Sequence, residues 1–80
     1  MLAEYIQAAM RDARYEEIEE DGTIFATIPG FDGLWANAPT HAEATAQLES
    51  ALEGWILVSI ARHRPIPVRG GLDLTVREVA

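Results

Sequence analysis

The sequence predicts an α+β fold: an N-terminal helix, then a β-β-β-α-β core whose mostly antiparallel, four-stranded sheet is covered by one main helix. Three observations carry this. Apolar residues spaced for a helix over Leu2–Ala13 give way to alternation from Arg14. Asp21-Gly22 stands between two alternating runs, where a hairpin would turn. Thr40-x-x-Glu43 then opens a helix whose second half is apolar nearly all round.

The first helix places Leu2, Ile6, Ala9, Met10 and Ala13 on one side, with Glu4, Gln7 and Arg11 on others. It is short, so it must dock to persist. From Arg14, Tyr15, Glu17 and Glu19 alternate with Glu16, Ile18 and Glu20, and the returning run "TIFATIP" alternates Ile24, Ala26 and Ile28 with Phe25 and Thr27. Pro29 and Gly30 end this second strand. A third strand, "LWANA", sets Leu34, Ala36 and Ala38 on one face and Trp35 and Asn37 on the other.

Thr40 can accept from the Glu43 N–H while Glu43 reaches back, a capping box that starts the main helix. Ala44, Leu48, Ala51, Leu52, Trp55, Val58 and Ser59 form its expected core stripe. The remaining apolar surface in "ALEGWILVSIA" exceeds what so small a domain can bury, so Ile56, Leu57 or Ile60 is expected to meet another subunit or a partner. Gly54, unfavourable by roughly 1 kcal/mol within a helix, suggests close packing or a bend. Arg62, His63 and Arg64 load the helix end, and Pro65 stops it. After "RPIPVRGG" comes a final strand, "LDLTVREV", with Leu72, Leu74 and Val76 facing the core.

Eighty residues make one small domain with a thin core, expected to span 1–80 with a helix over 1–13 and the core over 14–80. No cysteine means no disulfide framework and no thiolate zinc site. No run is long and apolar enough for a membrane span, and "MLAEYIQ" is unlike a secretory signal, so a cytoplasmic location is expected. A net charge of −7 with scattered arginines opposes phosphate binding and suits a basic protein partner.

The acidic run Glu16, Glu17, Glu19, Glu20, Asp21 would attract a hard divalent cation only if its carboxylates converged, and alternation splits them between faces. His41 and His63 fall about 33 Å apart on a straight helix and cannot form a dyad. Ser50 and Ser59 have no nucleophile elbow around them. No catalytic residue, cofactor or metal is expected. Trp35 reads either as a core residue or, if exposed, as an interface anchor; core packing is the stronger reading for Trp55.

The hairpin "RYEEIEEDGTIFATIPGFDGLWANAPT", the "T-x-x-E-A" helix start at Thr40, Glu43 and Ala44, then "LESALEGW" and "PIP", resemble in order and spacing the HicB-like antitoxin family. The resemblance covers roughly Arg14 to Val79. It implies a partial RNase H-like fold and a non-catalytic antitoxin of a type II toxin–antitoxin system. Such a protein masks the active site of a small, basic HicA-type toxin that cleaves messenger RNA, and self-associates as a dimer or tetramer. On this reading Glu16, Glu17, Glu19, Glu20 and Trp35 are candidate partner contacts, and Ile56, Leu57 and Ile60 candidate self-association residues. Many members carry a DNA-binding segment after the last strand; none is expected here, nor is direct DNA binding. The alternatives are a stand-alone oligomeric binding protein and a residual metal-dependent nuclease.

Overall fold

A computed structural model describes residues 2–74. Its elements are α1 (Leu2–Met10), β1 (Arg14–Glu17), β2 (Ile24–Thr27), β3 (Trp35–Ala38) and α2 (His41–Ala61). The strands form an antiparallel sheet in the order β1-β2-β3, with Arg14 opposite Thr27 and Thr27 opposite Trp35. The hairpin is as expected from its alternation, but the turn is wider than Asp21-Gly22 alone. Ile18 donates to the Thr23 carbonyl at 2.8 Å and Gly22 to that of Ile18 at 2.7 Å, so residues 18–23 form a closed loop.

One face of the sheet is the core. Ala26, Ile28, Leu34, Ala36 and Ala38 are buried there, and α2 lays Ala44, Leu48, Leu52, Ile56 and Ser59 across them. The buried stripe of α2 therefore departs from the expected one. Val58 is 47% exposed, while Ile56 is 1% exposed and belongs to the core of its own chain. Ala51 and Trp55 pack partly against it. Repeated steps of four residues carry the stripe slowly around the helix, a path that suits a ridge lying on a twisted surface.

Thr40 caps α2 as anticipated, its hydroxyl accepting from the Glu43 N–H at 3.2 Å. The far end differs. The helix stops at Ala61, so Arg62, His63 and Arg64 lie beyond its last turn. His63 adopts φ +54°; it donates to the Ile60 carbonyl and Arg64 donates to that of Ser59, which together make a Schellman closure with histidine where glycine is usual. Pro65 then follows, unable to continue the helix.

The chain next runs back past α1. Arg69 and Leu72 exchange backbone hydrogen bonds around Gly70 and Gly71, at φ +58° and +74°, the two left-handed residues of a type I′ turn. A Cβ on Gly70 would lie 2.8 Å from that of Ala8, so the turn sits directly on α1. Leu72 contributes only that isolated bridge, and residues 73–74 are not in a strand. The expected strand "LDLTVREV" otherwise lies outside the described residues, among which the sheet has three strands and not four.

α1 ends at Met10 and buries Tyr5, Ile6 and Ala9; Leu2 is exposed. The Tyr5 hydroxyl donates to the Pro67 carbonyl. That bond, with the Gly70 contact, supplies the docking that so short a helix needs.

Candidate functional site

Among the described residues, no three His, Cys, Asp or Glu side chains lie where they could hold a metal ion. His41 and His63 sit at opposite ends of α2. Ser59 is buried in the core stripe, and Ser50 is exposed. His41 is instead occupied structurally: its ring lies 3.9 Å from that of Tyr15, whose hydroxyl shares a 2.8 Å hydrogen bond with Thr45.

The outer face of the sheet carries two of the other candidates, Glu16 and Trp35. Register sets two cross-strand rows there, Arg14–Thr27–Trp35 and Glu16–Phe25–Asn37. Trp35 is 58% exposed and its ring stacks on Phe25 at 6.0 Å. Of its two readings, core residue or exposed residue, the second is the observed one. Asn37 is held by a 2.8 Å hydrogen bond from Nδ2 to the Thr23 hydroxyl. Beside the aromatic pair lies a trough of about 430 Å³, lined by Arg14, Phe25, Thr27, Asp32 and Trp35 among others.

The acidic run does not act as one group. Glu16 stands on the outer face opposite Phe25, while alternation turns Glu17 to the other side. Glu19, Glu20 and Asp21 are exposed on the 18–23 loop. The Asp21 carboxyl is held below the usual carboxylate range by the Thr23 hydroxyl and then by the Thr23 N–H, at 2.7 and 3.0 Å. It is a loop brace, and its acidity serves the turn.

The self-association candidates separate in the same way. Ile56 is unavailable, because it is sealed in the core, and Ile60 is half-buried against that core. Leu57 is 64% exposed. A groove of about 640 Å³ runs between α2 and the segment 64–67, lined by Trp55, Val58, Ser59, Arg64 and Ile66. Trp55 closes one wall, donating from Nε1 to the Asp32 carbonyl at 2.9 Å and meeting Phe31 edge-on at 4.9 Å. Gly54 lines the groove, and a methyl group at that position would meet nothing within 4 Å, so this glycine does not mark close packing.

Two residues that sequence reasoning missed hold the far side together. Arg69 donates from one terminal nitrogen to the Pro29 carbonyl at 2.6 Å and from the other to that of Val68 at 2.9 Å. Its guanidinium lies 5.2 Å from the Phe31 ring centre, and its Nε pairs ionically with Asp12 at 3.0 Å without hydrogen-bond alignment. Tyr5 is the other. Burial pushes its phenol above the ordinary range, with Asp73 adding to the effect and Arg69 opposing it. The available signals were a phenol on the apolar side of α1 and a lone arginine before Gly-Gly, and neither names its partner.

A family profile described as UPF0150-like matches residues 4–67, a span that takes in the three described strands, all of α2 and most of α1. The chain belongs to the UPF0150-like family. The crystal structure of TTHA0281 from Thermus thermophilus is similar over nearly its whole length. The two are 33% identical with a TM-score of 0.82, covering 96% of this chain and 95% of that one. No curated protein matches the chain. In this UPF0150-like protein no described helix is long and apolar enough to cross a membrane.

Proposed function

We propose that this UPF0150-like chain is a non-catalytic, protein-binding module of the antitoxin type, which sequesters a small basic ribonuclease of the HicA kind. The observation that carries it is the outer face of the sheet, which no described element covers and where Trp35 stands 58% exposed against Phe25 beside an acidic hairpin. An exposed tryptophan flanked by a second ring is the usual composition of an interface anchor. The net charge of −7 favours a basic partner and disfavours nucleic acid. Family membership supports the antitoxin reading, since the UPF0150 family includes HicB-like antitoxins.

Self-association is part of the same proposal, with Leu57 and Val58 as the exposed apolar residues of α2 that a second copy would cover. The metal-nuclease alternative has no converging carboxylates behind it among the described residues.

Co-expression with the product of the adjacent gene tests the proposal. A small basic protein should co-purify and lose its RNA-cleaving activity in the complex. If the neighbour is not basic, or it cleaves RNA equally well when this chain is present, the antitoxin reading is wrong.

A further inference from the structure

The outer face has a chemistry more specific than apolarity. A stacked Trp–Phe pair presents electron-rich ring faces, to which a cation is drawn electrostatically, most strongly at tryptophan. Carboxylates bracket that pair. Glu16 is the register partner of Phe25, which brings their Cβ atoms within about 5 Å, and Asp32 lines the trough that Phe25 and Trp35 also line. Arg14, the chain's own cation in that trough, neighbours Glu16 on the same strand face and lies diagonal to Phe25. Trp35, however, is on β3, two strand spacings or about 9.5 Å away, and would be the ring left for a cation from outside. Glu19, Glu20 and Asp21 on the adjoining loop extend the negative field.

We propose that this face receives an arginine side chain from a partner protein: the guanidinium lies on the exposed Trp35 ring, which Phe25 backs, while Glu16 and Asp32 accept its N–H groups. Arginine fits better than lysine because its planar group stacks on a ring and hydrogen-bonds carboxylates at its edge simultaneously. An anionic partner would meet the same carboxylates as repulsion. The inference deepens the reading above by naming the contact, and it needs from that reading only that the partner be basic.

The test uses the full chain, isotopically labelled, titrated with the blocked peptide acetyl-(Gly-Arg)3-amide and with its citrulline counterpart, which keeps the shape and removes the charge. The indole N–H of Trp35 and the amides of Glu16, Phe25 and Asn37 should shift and saturate with the arginine peptide. The citrulline peptide should bind roughly tenfold more weakly, and Trp35→Ala and Glu16→Gln should each weaken the arginine peptide by about fivefold or more. Equal binding of the citrulline peptide overturns the inference, as do shifts confined to residues 18–23 or unchanged affinity in Trp35→Ala. A single-stranded oligonucleotide that moves the same resonances overturns it in favour of nucleic acid. The two readings fail separately. A co-purifying basic protein that binds Trp35→Ala undiminished removes the arginine dock and Trp35 as an anchor, and leaves toxin sequestration itself standing. Saturable arginine-peptide binding with no toxin neutralisation does the reverse.

Discussion

The two faces of the sheet invert the usual order of size. At the centre of β2 and β3 the inner face is built from Ala26, Ala36 and Ala38, all nearly inaccessible, with Ile24 partly buried beside Ala38, while the outer face carries Phe25 and Trp35. Small residues inside let α2 press close and supply the bulk itself through Leu48, Leu52 and Ile56. Large residues outside are then not needed to fill the core. What the difference teaches is that the residues that hold the fold and those proposed to meet a partner alternate along the same strands, one residue apart in sequence.

The sharpest way to break that assignment is a matched pair of truncations. Leu48→Ala, at a fully buried position, should cost about 2–5 kcal/mol in urea unfolding. Trp35→Ala removes a larger side chain yet should change stability by only about 1 kcal/mol or less, while weakening partner binding by about 2 kcal/mol, roughly 30-fold. Comparable losses of stability would show that the outer face also supports the fold. Next in size is Ala36→Leu, which forces extra volume beneath α2 and should destabilise by about 1–3 kcal/mol. Thr27→Leu, on the outer side of the neighbouring strand, should stay within about 0.5 kcal/mol by the same assay.

Tyr5→Phe probes a region that belongs to neither face, and should cost about 1 kcal/mol through the lost bond to the Pro67 carbonyl. Its pH dependence has a definite sign. Because the folded-state phenol is raised, the folded chain holds that proton more tightly than the unfolded one. The contribution is complete below the ordinary phenol range and is lost as pH rises through the folded value. Alkaline titration of the unfolding midpoint should therefore fall less steeply in Tyr5→Phe than in the parent. A gain of stability is expected on the flank of α2, where Gly54→Ala fills open space and should stabilise by roughly 0.5–1 kcal/mol, seen as a higher thermal midpoint.

The element order was legible because its signals are local. Alternation, the Thr40 cap and the loop around Asp21 involve residues a few positions apart; the same alternation set Trp35 apart from Leu34, Ala36 and Ala38 but did not say which of the two faces the helix would cover. Which residues of α2 would be buried was less legible. Ile56 and Val58 are equally apolar, and only the path of the helix across the sheet makes one core and leaves the other half-exposed. The left-handed closure at His63 was hidden, since the sequence has no glycine there to announce it. The contacts of Tyr5 and Arg69 were not legible at all. They join segments that no periodicity relates, and an arginine amid Val68, Gly70 and Gly71 does not say which carbonyl it will find.

The bond between Tyr5 and Pro67 links positions 62 residues apart. Its consequence is kinetic. The β1–β2 hairpin can form from neighbours, and α2 from its own backbone, but α1 is too short to persist until the segment after α2 has been folded back alongside it. The first helix in the sequence should thus be among the last to become ordered. Its amides should be the earliest to exchange with solvent from the native state, and substitutions in it should speed unfolding while leaving the rate of folding almost untouched.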